Sequence, residues 1–133
     1  MSHDDLVERY LAALGSSDLP RMLALFTPDA VVHSPLYGDV PARDFYPQLF
    51  ADTGAAELTL LGTMHGDSAG GRPLVSFLFH FDWTLPNGTS APFDVVDVAE
   101  LDDTGLIASI RIIYDTVSVR PAFEADTGKS SVR

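Results

Sequence analysis

The chain has 133 residues, of which 46% are hydrophobic, and this suffices for one folded domain with a buried core. Its formal net charge is −11 with only eight Lys and Arg residues, which argues against nucleic acid or an anionic membrane as a partner. Cysteine is absent, so disulfides, thiolate metal sites and a cysteine nucleophile are excluded. The sequence contains no basic leader before an apolar run and no long apolar stretch, so we expect a cytoplasmic protein.

The N-terminal part of the chain has the apolar spacing of helices. Apolar side chains in residues 3–14 fall on one helical face, and Gly15 follows them. Asp18 is suited to cap a second, short helix that tolerates Pro20 in its first turn. We expect this second helix to end near Thr27, so that two helices open the domain.

A short strand and a third helix are predicted next. Residues 30–34 are rich in β-branched side chains and are followed by Pro35. The third helix is expected to begin at Asp44, because this start places Pro47 in the first turn, where proline is tolerated.

Beyond Gly54 the pattern changes from the helical period to long strands. Asn87 and Gly88 predict a two-residue hairpin turn, and residues 102–105 predict a four-residue turn. Helices followed by an antiparallel meander predict an α+β domain over residues 1–120. The polar residues 121–133 are predicted to be a frayed tail. The four predicted strands are residues 57–64, 73–85, 91–101 and 106–119.

One acidic residue stands in the middle of an apolar strand. The run Phe93–Leu101 alternates as a strand does, and Asp97 lies among its valines. A carboxyl group in such a place must be paired, held neutral or turned toward solvent. The surroundings of Asp97 are therefore central to any functional interpretation.

The order of elements resembles the nuclear transport factor 2-like superfamily, and most of all its ketosteroid isomerase and SnoaL-like branch. Two blocks, residues 10–35 and 87–114, carry this resemblance, which extends over residues 3–119. It implies a cone-shaped α+β barrel in which three N-terminal helices pack on a strongly curved, mostly antiparallel sheet around a hydrophobic cavity. It implies no single activity, since the superfamily contains isomerases, cyclases, hydrolases, dehydratases and non-enzymatic binders.

The resemblance also assigns roles to individual residues. In ketosteroid isomerases a tyrosine and a protonated aspartic acid donate hydrogen bonds to the substrate oxyanion, the standard example of a carboxylic acid kept neutral by an apolar site. These positions correspond to Tyr10 and Asp97. The general base of that family, an aspartate just before a proline, corresponds to Ser34. A serine hydroxyl cannot abstract a proton from carbon, so steroid isomerisation by the family mechanism is not expected.

Strand register decides whether another base is available. A two-residue turn at residues 87–88 places Leu78, His80 and Asp82 on the same face as Asp97, which makes His80, assisted by Asp82, the candidate base. The next turn places Asp97 opposite Ile110. A slip of one residue would turn His80 and Asp82 outward and their neighbours inward. Without the slip, a homodimer would cover the outer aromatic face formed by Phe77, Phe79, Phe81 and Trp83.

We therefore expect the cavity to bind a small hydrophobic molecule that carries a carbonyl or enol oxygen. If the protein is an enzyme, proton transfer next to a carbonyl is expected, as in an isomerase, cyclase or dehydratase. The alternative is a non-catalytic small-molecule-binding or dimerisation module. No cofactor is expected, and the four histidines lack the spacing of metal ligands. The predicted pocket-lining residues are Ser34, Phe26, Phe50, Leu78, Val95, Ile112 and Tyr114.

Overall fold

The computed structural model describes residues 2–132. Its strands form one curved, unclosed sheet in the order β2-β1-β6-β5-β4-β3, antiparallel except for the parallel pair β1–β6. The predicted α+β class is confirmed. No helix within residues 2–132 has the length and apolarity needed to cross a membrane. The helices are α1 His3–Ser16, α2 Leu19–Leu23, α3 Ala42–Ala51 and α4 Val119–Thr127. The strands are β1 Phe26–Ser34, β2 Gly38–Pro41, β3 Ala55–Asp67, β4 Pro73–Thr84, β5 Phe93–Leu101 and β6 Ile107–Ile113.

The first two helices follow the capping rules read from the sequence. The Asp18 side chain accepts a hydrogen bond from the Arg21 backbone N–H at 3.2 Å, which confirms Asp18 as the cap of α2. α1 continues through Gly15 and ends where Ser17 adopts a positive φ of 52°. α2 ends earlier than predicted, and Phe26 begins β1 instead of lying on the helix.

α3 begins at Ala42, before the predicted start at Asp44, so Pro47 lies inside the helix. A proline there lacks the N–H that would bond the preceding turn. The helix is nevertheless retained, because its apolar face packs into the core through Phe45 and Tyr46. Tertiary packing thus outweighs the local cost of the proline.

The predicted register of β4 and β5 is wrong by one residue. Phe77, not Leu78, lies opposite Asp97. The loop between the strands has three residues, 86–88, because the Leu85 backbone N–H donates to the Thr89 carbonyl at 2.9 Å. The glycine that ends this loop has a φ of 87°, as a three-residue hairpin with a left-handed position requires. A shift by one residue exchanges the two faces of a strand.

The aromatic residues of β4 consequently fill the inside of the sheet. They cannot form the outer surface that was predicted for a homodimer. Association of two copies stays a prediction, but these aromatic residues cannot be its contact surface. His80 and Asp82 face outward instead, which overturns their predicted place in the cavity. The side chains that are 1–5% exposed on the inner face of β4 are those of Phe77, Phe79, Phe81 and Trp83.

The β5–β6 register also differs from the prediction, but without changing the face. Asp97 lies opposite Ile112 instead of Ile110. Leu101 pairs with Ile107, so the turn between them is one residue longer than predicted. An irregularity between Glu100 and Leu101 shifts the pairing by one more residue, which makes two in all. Because side chains alternate with a period of two, this shift leaves Ile110 and Ile112 on the same side as Asp97.

The tail predicted to be frayed contains a packed helix, α4. Val119 and Phe123, four residues apart on one helical face, are each 1% exposed. The Phe123 ring stacks on Trp83 with 6.0 Å between ring centroids and meets Tyr37 edge-on at 5.3 Å. The C-terminal segment therefore packs on the core through these two side chains.

Replacing Gly54 by Ala is expected to lower the free energy of unfolding by about 1–3 kcal/mol. A Cβ at this position, in the turn before β3, would lie 2.8 Å from the Leu85 carbonyl oxygen, a backbone atom that cannot move aside easily. Gly62→Ala in β3 is the matched control, because a Cβ there meets no atom within 4 Å. Urea unfolding measures both variants, and equal stabilities would contradict the clash.

Candidate ligand-binding site

A cavity of about 40 Å³ lies between the inner face of the sheet and helices α1 and α3. Its wall is formed mainly by aromatic and aliphatic side chains. Asp97 is the one carboxyl group, and histidine is absent, among the lining residues that the structure describes. The lining residues are Tyr10, Leu14, Ser34, Leu36, Tyr37, Phe45, Leu49, Phe79, Phe81, Trp83, Phe93, Val95, Asp97, Ile112 and Tyr114.

Asp97 is buried in the centre of this wall. It is 1% exposed, and its Oδ1 atom is buried without a hydrogen-bond partner. Burial raises the pKa of the carboxyl from 3.8 to about 8, and interaction with the Tyr10 hydroxyl offsets only part of this effect. The group is consequently mostly protonated at neutral pH and can donate a hydrogen bond.

Tyr10 reaches the same part of the cavity from α1. Its ring packs edge-on against Phe77, the residue directly opposite Asp97 on β4, with 5.2 Å between centroids. Its hydroxyl shares a buried 2.9 Å hydrogen bond with the hydroxyl of Tyr46 on α3. Burial raises the pKa of both phenols well above the ordinary value, so both stay protonated. Tyr46 thus orients the Tyr10 hydroxyl beside a neutral carboxyl.

Ser34 lines the cavity but is engaged with the backbone. Its Oγ accepts hydrogen bonds from the N–H groups of Leu36 and Tyr37 at 3.2 and 3.1 Å. The side chain therefore stabilises the turn that follows β1. The geometry gives it no partner that would activate it as a base or nucleophile.

The other predicted lining residues divide into two groups. Val95, Ile112 and Tyr114 lie in the cavity wall. Phe26 and Phe50 do not line the cavity. Their rings pack against the ring of Tyr46, with 5.2 and 6.0 Å between ring centroids. Leu78 is also outside the cavity, since it lies on the outer face of β4 after the register shift.

The predicted base is likewise outside the cavity. The His80 side chain is 42% exposed on the outer face, and its Nδ1 lies 2.8 Å from Oδ1 of Asp94. Asp82 faces the same way and lies opposite Glu57 of β3. Neither side chain can reach a molecule held by Asp97.

Two tyrosines at the site were not predicted from the sequence. Tyr46 is fully buried and positions Tyr10, while Tyr37 lines the cavity and donates from its hydroxyl to Asp52 at 2.7 Å. The helical spacing of Phe45, Leu49 and Phe50 gave a signal for the buried side of α3. It did not show that the adjacent Tyr46 hydroxyl would meet Tyr10, because that contact depends on how α1 and α3 pack. Within residues 2–132, no three acidic or histidine side chains are grouped to hold a metal ion.

A six-stranded curved sheet, helices across its inner face and a mainly apolar cavity define the class of small cone-shaped α+β domains. The SnoaL-like domain model matches residues 7–110, and the chain belongs to this family. This confirms the resemblance to the nuclear transport factor 2-like superfamily and its SnoaL-like branch. No curated protein sequence matches the chain.

Solved structures share the fold at low sequence identity. A nuclear transport factor 2-like protein of unknown function from Exiguobacterium sp. 255-15 has a TM-score of 0.68 and 17% identity, covering 83% of this chain and 98% of its own. The epoxide hydrolase/cyclase-like enzyme SalBIII of salinomycin pyran ring formation has a TM-score of 0.67 and 21% identity, covering 87% and 92%. A putative polyketide cyclase from Pseudomonas putida KT2440 has a TM-score of 0.64 and 20% identity, covering 90% and 96%.

The variant Asp97→Asn is predicted to remove a pH dependence of stability. The folded pKa of about 8 lies above the ordinary 3.8, so the folded state keeps a proton that the unfolded state releases between these values. The stability contribution is complete below pH 3.8 and is lost as the pH rises toward 8, by up to ~1.4 kcal/mol per pH unit.

Urea unfolding of the wild type and Asp97→Asn from pH 5 to pH 8 measures this loss. Asp82→Asn, the same substitution on the outer face of β4, is the control and should keep the wild-type slope. A constant difference in free energy between wild type and Asp97→Asn would contradict a neutral buried Asp97.

Proposed function

We propose that the cavity binds a small, mainly apolar molecule through one carbonyl, enol or phenol oxygen. One observation carries this proposal. Asp97 lines the cavity, and its buried Oδ1 atom has no hydrogen-bond partner. A buried polar atom without a partner is costly, and an oxygen-bearing ligand would satisfy it.

The electrostatics of the site favour an oxygen that is neutral or that carries a developing negative charge. A protonated Asp97 and the Tyr10 hydroxyl would both donate to the same oxygen. The hydroxyl of Tyr46, 2.9 Å from that of Tyr10, would then donate to Tyr10 and hold it in place. Donors fixed in advance in a dry site stabilise negative charge more than donors in water do. The apolar walls would hold the carbon skeleton and set its orientation.

Proton transfer catalysed by Asp97 alone is the second candidate function. A pKa of about 8 makes this carboxyl a mixture of acid and base near neutral pH. Ionised Asp97 would take a proton from a carbon next to the ligand carbonyl, leaving an enolate that Tyr10 stabilises. The same group would return the proton to the original or a neighbouring carbon, so the reaction would be an isomerisation or part of a cyclisation or dehydration.

The part of the cavity wall that the structure describes contains no second carboxyl group and no imidazole, and this limits the chemistry. His80 and Asp82 lie outside the cavity, and the Ser34 hydroxyl is held by two backbone N–H groups. Non-catalytic binding requires only the Tyr10 and Asp97 donors, and for this reason binding is our first proposal. Among the similar structures, an epoxide hydrolase/cyclase-like enzyme and a putative polyketide cyclase show that the fold accommodates enzymes.

Phenol is the simplest probe of the oxygen site. We expect wild-type protein to bind it, and Asp97→Asn and Tyr10→Phe each to weaken binding about tenfold, because each removes or weakens one donor to the phenol oxygen. Wild-type affinity should also fall as the pH rises above about 8, when Asp97 ionises. Titration followed by the emission of the single tryptophan, Trp83 in the cavity wall, measures each affinity.

Asp94→Asn is the control for phenol binding, since Asp94 has the same side chain on the same strand but faces outward. His80→Ala should likewise leave the affinity unchanged. If the Asp97 and Tyr10 variants bind phenol as tightly as the wild type, the assignment of the oxygen site is wrong.

Exchange of α-hydrogens in D2O distinguishes catalysis from binding alone. If Asp97 acts as a base, wild-type protein should accelerate deuterium incorporation into cyclohexanone, and the rate should increase with pH and level off above about 8. Asp97→Asn should show only the buffer rate, and Asp94→Asn the wild-type rate. NMR spectroscopy measures the incorporation. A wild-type rate equal to that of buffer would rule out proton transfer by Asp97 and leave binding alone as the proposed function.

A further inference from the structure

The cavity is too small for the ligand class that its chemistry indicates. Its volume of about 40 Å³ holds roughly three water molecules. Pockets for small organic ligands usually measure roughly 300–1,000 Å³. A ring that carries a carbonyl or phenol oxygen can therefore enter only if part of the wall moves.

Most of the wall is difficult to move. The strands that contribute Asp97 and the β4 aromatics are held by long hydrogen-bonded ladders on both sides. α1 is anchored by five buried side chains, and α3 by four. α4 buries only Val119 and Phe123. Elements with few buried contacts are the first to open locally.

Phe123 connects α4 directly to the cavity wall. Its ring contacts two lining residues, Trp83 and Tyr37, while Phe123 is not among the lining residues. Withdrawal of this ring would give both residues room to move outward. Phe123 therefore determines how far this part of the wall can yield.

An ion pair fixes the end of this segment. Lys129 Nζ lies 3.2 and 3.1 Å from the two carboxylate oxygens of Asp52, at the end of α3. Asp52 is 7% exposed and also accepts the hydrogen bond from the Tyr37 hydroxyl. The same carboxylate thus holds both the C-terminal segment and a residue of the cavity wall.

Two further contacts attach the segment to the same end of the sheet. Asp126 Oδ1 accepts from the Asn87 backbone N–H in the β4–β5 loop at 3.0 Å. Arg120 Nη2 donates to the Pro35 carbonyl, just after β1, at 3.2 Å. The antiparallel arrangement of β4, β5 and β6 and the parallel β1–β6 pair bring these turns together at one end. The segment therefore covers one end of the cone.

We propose that residues 119–132 form a lid over the cavity, with Phe123 as the size-limiting wedge and the Asp52–Lys129 ion pair as its latch. The lid opens to admit a ring-sized ligand and closes behind it. This inference rests on the proposed function only in taking the cavity as the ligand site. The movement of the lid is a property of the free protein.

The free protein provides the first test, because Trp83 stacks on Phe123 and is the single tryptophan in the chain. Lys129→Gln removes the latch without removing a buried group and should raise acrylamide quenching of Trp83 and hydrogen exchange in residues 119–127 by about twofold to fivefold. Arg21→Gln, which breaks the exposed Asp18–Arg21 pair with the same loss of charge, should change neither.

Binding kinetics provide the second test. Stopped-flow mixing with phenol should show that Lys129→Gln raises the association and dissociation rate constants together by about twofold to fivefold, with little change in their ratio. Phe123→Leu keeps an apolar side chain and should have the same effect on both rates. A residue that only stabilised the fold would not change the two rates in parallel.

The outcomes separate the lid from the proposed function. Increased quenching and exchange in Lys129→Gln without any phenol binding would support the lid and overturn the function proposed for the cavity. Phenol binding with wild-type rates in both lid variants, and unchanged quenching, would overturn the lid and leave the proposed function standing. Faster rates in Arg21→Gln as well would assign the effect to net charge and would also overturn the latch.

Discussion

A carboxyl group that is buried among aromatic rings must stay neutral or find a cation, and no cation lies in the cavity wall that the structure describes. Asp97 therefore constrains its surroundings. It lies on β5, which is flanked on both sides by other strands, and it faces helices that contribute Tyr10 and Tyr46. The aromatic side chains of β4 keep water away and so maintain the raised pKa. The same exclusion of water makes the carboxyl a useful donor.

The placement of Asp97 and Tyr10 at the cavity could be predicted because the resemblance to the ketosteroid isomerases assigns both positions to the oxyanion site. Strand alternation alone showed only which residues of β5 share a face with Asp97. The position of His80 could not be predicted, because one extra loop residue reverses every side chain on β4. An error of two residues at β6 was harmless, since an even shift keeps Ile112 on the inner face.

The C-terminal helix shows a different limit of sequence reading. Its residues are polar on average, and this hid a two-residue signal, the i, i+4 pair Val119 and Phe123. α4 is held by rings and carbonyls from distant parts of the chain, among them Trp83 and the Pro35 carbonyl. The helix propensity of a local sequence does not depend on such contacts and so cannot predict them. Polar composition alone is thus a poor argument for a frayed end.

The parallel pairing of β1 with β6 has a consequence for folding. β1 ends at Ser34, yet its partner β6 begins only at Ile107, so completion of the sheet depends on a contact between distant parts of the sequence. In the unfolded chain the carboxyl of Asp97 is in water and has the ordinary pKa of 3.8, whereas in the folded protein its pKa is about 8. Folding at neutral pH is therefore coupled to the uptake of a proton.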